Sequence, residues 1–156
     1  MKNSTEAEGT SRAPFFRSMT NFTSRQPAIR MVMMPRDANY LGTIFGGIIL
    51  SYIDLAGAVE AQSHSDQKVV TAAMREVKFI APVFVGDLVS FYTQTLKVGE
   101  TSVQVRITVE AQRAPSLQET VRVTQAEVIY VAIDENGNKA PIRSEPNRIL
   151  AESKAA

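Results

Sequence analysis

The sequence predicts an α+β fold in which a strongly curved antiparallel sheet wraps around one long central helix. Three observations carry this. The stretch Asn39 to Val59, NYLGTIFGGIILSYIDLAGAV, holds a helix-length run that is apolar around most of its circumference, as a helix enclosed by other elements would be. Four long segments of strand character follow it. The connections between them are short, which makes neighbouring strands antiparallel and leaves the helix segregated on one face.

The elements follow in order. Residues 1–27 are polar, aperiodic and rich in Ser, Thr and Asn, and read as a flexible arm with Phe15 and Phe16 as docking points. The folded domain is expected over 28–145, with 146–156 as a tail. A short strand over Ile29 to Met34 stops at Pro35, and Asp37, Asn39 and Gly42 favour a turn after it. The helix should begin at Gly46 or Gly47 and run to Gln62, roughly 25 Å at 1.5 Å per residue. Strands are expected over Val69 to Phe79, Leu88 to Val98, Thr101 to Arg113 and Thr120 to Ile133. The third alternates cleanly, with Val103, Val105, Ile107 and Val109 on one face and Ser102, Gln104, Arg106 and Thr108 on the other. Pro82 with Val85-Gly86-Asp87, Gly99-Glu100 and Ala114-Pro115-Ser116 supply the turns between them.

Composition narrows the chemistry. The chain has 156 residues, enough for one domain with a core of ordinary size. Its net charge of +1, without any block of like charges, gives no electrostatic footprint for nucleic acid or a membrane surface. With no cysteine, thiol nucleophiles and thiolate metal sites are excluded, and one histidine, His64, excludes a multi-histidine site within one chain. No metal or cofactor is expected. Four glycines and Asp54 within 41–59 argue against a membrane span, and the N-terminus has no apolar signal core, so a cytoplasmic location is expected.

Asp54 is the one charge in the apolar run, and a lone carboxylate in a dry interior costs several kcal/mol unless paired, solvated or protonated. It lies seven residues after Gly47, so at 100° per residue both project to nearly the same side of the helix. Gly46 and Gly47 just before or at the helix start let a ligand approach free N–H groups, which suit a phosphate or a carbonyl oxygen gaining charge. Asp54 is then a general base toward water or a nucleophile. The plainer alternatives are a structural aspartate held by backbone amides or an arginine, and a glycine pair that serves tight packing. Asn39 can orient water or simply form its turn. Arg75 and Lys78, at the end of the strand expected after the helix, are able to meet phosphates or to stand as a solvated strand edge.

Pro35-Arg36-Asp37-Ala38-Asn39, Gly42-Thr43-Ile44-Phe45-Gly46-Gly47 and Ile53-Asp54 together form a pattern that resembles the signature of hotdog-fold acyl-CoA thioesterases. The similarity is strongest to the YciA-like and cytosolic long-chain acyl-CoA hydrolase branch. It continues through Val69-Val70-Thr71, Val77 to Val83, Val85-Gly86-Asp87, and Val98-Gly99 with Thr101-Ser102. The resemblance implies hydrolysis of acyl-CoA to free acid and CoA by a homo-oligomer, a dimer or trimer of dimers, with sites at the dimer interface. It implies that Asp54 is catalytic, that Asn39 faces it from the other subunit, and that the Gly46 and Gly47 amides polarise the thioester carbonyl. Phe45, where many relatives carry His, matches the YciA-like branch. Ile48, Ile49 and Tyr52 are expected to line the acyl channel, with Arg75, Lys78, Thr101 and Ser102 as further substrate contacts. Two alternatives are a hotdog enoyl-thioester hydratase, which His64 in a turn suits poorly, and a non-catalytic acyl-CoA-binding protein.

Overall fold

A computed structural model describes residues 25–143; residues 1–24 of the expected arm, with Phe15 and Phe16, and the expected tail lie outside them. A single five-stranded antiparallel sheet is formed by β1 (Ile29–Val32), β2 (Lys68–Met74), β3 (Leu88–Val98), β4 (Ser102–Gln112) and β5 (Thr120–Ile133), in the order β1-β3-β4-β5-β2. One helix, α1 (Gly46–Gln62), lies across its concave face, and a single 3₁₀ turn (Pro35–Asp37) precedes it. The β3–β4 and β4–β5 pairs are hairpin neighbours, while β2 crosses to the far edge to pair with β5.

The core sits between helix and sheet. Val103, Val105, Ile107 and Val109 of β4 are fully buried, on the face that their alternation predicted. They meet Ile49, Ile53 and Ala56 of α1 together with Phe91, Val128 and Tyr130. Gly57 lets the two layers close, because a Cβ there would collide with the Tyr130 hydroxyl and press on Ile107. The opposite face of the sheet is polar, with Arg106 Nη2 donating to Glu127 Oε1 at 2.8 Å and Gln104 to Oε2 at 3.0 Å. The Arg106 hydrogen bond holds the Glu127 carboxyl below its ordinary range.

Two elements differ from the sequence reading. The helix is not enclosed on all sides: Leu55 and Val59, on the face away from the sheet, are 53% and 60% exposed. A strand expected over Val69 to Phe79 ends at Met74, because the register slips between Thr71 and Ala73. Such a bulge bends its strand away from the partner. Beyond it Arg75 N–H to Glu127 O, at 2.8 Å, Thr124 Oγ to Lys78 O, at 2.8 Å, and Ile80 N–H to Val123 O, at 2.9 Å, tie the segment to β5. Met33 and Met34 likewise lie past the end of β1.

Candidate active site

The approach to the helix is fixed by its own loop. Asn39 Oδ1 accepts the Leu41 and Thr43 amides at 2.9 and 3.2 Å, and Nδ2 donates to Thr43 Oγ at 2.9 Å. Gly42, at φ +81°, takes the left-handed conformation this tight turn requires. Ile44 N–H then reaches Val83 O at 2.8 Å and Phe45 N–H reaches Asp37 O at 2.9 Å, so the chain is held from both sides as it enters α1.

Gly46 and Gly47 open the helix with no side chain capping it, and among the described residues neither amide meets an acceptor. Two free N–H groups and the positive end of the helix dipole therefore point the same way. Aromatic rings bracket them. A Cβ on Gly47 would collide with the Phe45 ring, and one on Gly46 would touch Phe79 at 3.5 Å. Both rings are half exposed, which makes an apolar rim around polar donors.

Asp54 is half-buried two turns further along. Its Oδ1 accepts the Thr71 hydroxyl at 2.5 Å, while Oδ2 receives no hydrogen bond from the described residues. Tyr130 Oη donates to the Asp54 backbone carbonyl at 2.8 Å. Burial, and then the charge of Asp54, push the Tyr130 phenol well above its ordinary range. Among the described residues no arginine and no backbone amide meets the carboxylate.

The remaining residues spread along the helix. Tyr52 packs on Phe91 with ring centroids 5.7 Å apart, and Ile48 is half-buried beside it on α1. Arg75 and Lys78 are exposed on the segment after β2, where Lys78 Nζ pairs with Glu76 at 2.7 Å. Lys78 also lines a cleft of about 280 Å³ with Arg122 and Thr124. Thr101 and Ser102 lie at the β3–β4 hairpin, next to Gly99 and the C-terminal end of α1, a helix length from Gly46. His64 is at that far end too, with Nε2 2.8 Å from Thr95 Oγ. Within one chain no hydrogen bond joins Asn39 to Asp54. Sequence reasoning gave no role to Thr71, Phe79 or Tyr130. Only Thr71 left a signal, as a polar residue on the inward phase of β2.

One helix laid in a curled antiparallel sheet, with free amides at its start and a carboxylate two turns on, defines a hotdog protein. The model of the thioesterase superfamily matches residues 41–115. An uncharacterized acyl-CoA thioester hydrolase of Haemophilus influenzae is 39% identical over 129 residues, covering 81% of this chain and 84% of the relative. Acyl-CoA thioester hydrolase YciA of Salmonella typhimurium is 35% identical, covering 80% and 96%. Among solved structures, a hexameric hotdog fold thioesterase of Campylobacter jejuni is 42% identical with a TM-score of 0.70, covering 84% of this chain and 97% of that one. The chain belongs to the YciA-type acyl-CoA thioester hydrolases of the hotdog thioesterase superfamily.

Proposed function

We propose that the protein hydrolyses acyl-CoA to free acid and CoA as a homo-oligomer, with Asp54 as general base and the Gly46 and Gly47 amides as oxyanion donors. The observation that carries this is the pairing of two unpartnered amides at the start of α1 with an unoccupied carboxylate oxygen on the same side of that helix. Seven residues separate Gly47 from Asp54, roughly 10 Å along the axis, and the side chain leans a few ångström back toward the N-terminus. Direct attack needs the carboxylate about 3 Å from the carbonyl carbon, whereas a bridging water fills the longer gap. Asp54 Oδ2 takes a proton from water as its oxygen bonds to the thioester carbon. The carbonyl oxygen, now negative, is held by the glycine amides. Collapse breaks the C–S bond, and the proton on Oδ2 passes to the departing sulfur. Each role is filled by the protein and water, so the route calls on no metal or cofactor.

Asn39 has one N–H of its amide left after binding Thr43, suited to donate to the attacking water from the neighbouring subunit. Two features support self-association. Among the described residues the outward edge of β2 has no strand beside it, and Leu55 and Val59 form an apolar stripe on α1. A dimer, or a trimer of dimers as hexameric relatives suggest, would cover both. On this reading Ile48 and Tyr52 line the acyl channel behind Phe45, and Arg75 and Lys78 meet the phosphates of CoA. Thr101 and Ser102, at the far end of their own helix, reach substrate only across a subunit boundary. Among the described residues no helix is long and apolar enough to cross a membrane. The location proposed is cytoplasmic.

The test is Asp54→Asn assayed by thiol release from acyl-CoA. Loss of two to four decades of kcat in a folded protein is expected for a missing general base. Wild-type turnover by this variant would refute the mechanism.

A further inference from the structure

The mechanism leaves one buried charge unused. Among the described residues Asp87 is the only charged residue that is fully buried, at 2% exposed. It stands just before β3, and the end of β4 brings Arg113 against it. One amino group of Arg113 donates to Asp87 Oδ2, and the other donates to Pro82 O at 2.9 Å. Phe84 N–H also donates to Oδ2, at 3.0 Å, and Ala114 N–H to Oδ1, at 3.3 Å. The Phe84 ring packs on the guanidinium, with 5.1 Å from its centroid to the central carbon. A buried pair of this kind adds little net stability over apolar residues of the same size, because both charges lose their water. Stability alone therefore does not account for it.

Two paths lead from the pair to the start of α1. Along the first, Pro82 and Phe84 are each bonded to the pair, and Val83 between them accepts Ile44 N–H at 2.8 Å. Along the second, Asp87 O accepts Met33 N–H at 2.9 Å, and Met33 O accepts Gly86 N–H at 2.8 Å. The chain then passes through Met34 into the 3₁₀ turn, where Asp37 O accepts Phe45 N–H at 2.9 Å. The two paths close on Ile44 and Phe45, immediately before the free amides of Gly46 and Gly47. Met33, Ile44 and Val83 are all buried, so these ties run through packed chain. We propose that Asp87 and Arg113 are positioning residues for the oxyanion site, fixing the direction of the Gly46 and Gly47 amides through both paths. Neither needs to touch the substrate. The inference rests on the reading of those amides as oxyanion donors. Such donors act only when aimed at the oxygen of the tetrahedral intermediate, and a shift of about 1 Å costs on the order of a hundredfold in rate.

The experiment compares the full chain with Arg113→Lys and with the neutral double variant Asp87→Asn, Arg113→Gln. Lysine keeps the charge but offers one point where the guanidinium fork meets two acceptors. The double variant removes both charges together, so neither is left buried alone. Should it fail to fold, Arg113→Lys carries the same comparison. Thiol release from one saturated acyl-CoA is measured well below each thermal midpoint, so that folded enzyme is compared with folded enzyme. The expected kcat is lower by about tenfold to a hundredfold with KM within about threefold, as for an interaction made only in the transition state. The second readout is inhibition by two CoA analogues of equal acyl length. One is a trifluoromethyl ketone, whose hydrate presents tetrahedral oxygens, and the other a thioether without a carbonyl. The parent should prefer the ketone, and the variants should lose that preference by about tenfold or more while binding the thioether as the parent does. The inference is overturned if the folded variants keep parental kcat and preference, or if affinity for both analogues falls together. A parent that does not prefer the ketone would overturn the reading of the amides, and the inference with it.

Discussion

Gly57 and Tyr130 show how single residues set the site. Tyr130 is fully buried, and its hydroxyl occupies the space a side chain at position 57 would fill. Overpacking of this kind costs about 1–3 kcal/mol. Gly57→Ala should therefore lower the denaturation midpoint by a stability difference of that size. It should also slow turnover, since α1 must move off the sheet that aligns Asp54. A second prediction concerns pH. The phenol of Tyr130 is raised by burial and by the Asp54 charge, so its folded value lies above the unfolded one near 10. Stability from keeping it neutral is complete below that range and is lost as pH rises through it. Tyr130→Phe should lose about 1 kcal/mol at neutral pH with its hydrogen bond. Its stability should then fall less steeply than the parent's above about pH 10, read from urea midpoints across the alkaline range.

At the scale of elements, the helix and the edge strand behave differently from the rest. The limits of α1, β3 and β5 were legible in the sequence, because a glycine pair, turn residues and unbroken apolar patterns mark them. The end of β2 was not. It depends on a bulge set by pairing with β5, and no local signal separates Met74 from the extended residues after it. The carboxylate was conspicuous because charge is rare in an apolar run. Its two holders were not, since Thr71 and Tyr130 lie 17 and 76 residues away in sequence. The helix also kept a secret of orientation. Its all-round apolarity was readable, but one chain buries only the side facing the sheet. Leu55 and Val59 remain exposed at 53% and 60%. Replacing both with glutamate should leave the monomer folded, as neither packs in the core, and shift sedimentation from oligomer to single chain. An unchanged assembly would place the subunit contact elsewhere.

For the whole molecule, the sheet order places every element of the candidate site around α1 but distributes them unequally. Its start carries the amide donors and the aromatic rim, its middle carries the acid, and its far end carries His64, Glu60 and the β3–β4 hairpin. At that far end Thr93 and Thr95 both donate to Glu60, at 3.1 and 2.6 Å, which secures the helix to β3 by polar contacts. The working end is left comparatively bare, as a surface awaiting substrate and a second subunit would be. Asn39 fits this division: its side chain first builds the loop, and only one N–H remains for anything else.

One strand, β2, holds the acid through Thr71 on its inner face and, among the described residues, has no strand beside its outer edge. Its neighbours should consequently differ in how freely they drift over evolutionary time. Val70, facing outward, can trade for other branched residues as long as the edge still mates, whereas position 71 would accept little beyond threonine or serine. On the proposed reading, a change that warps this strand would cost the enzyme its partner and its reactivity in one stroke.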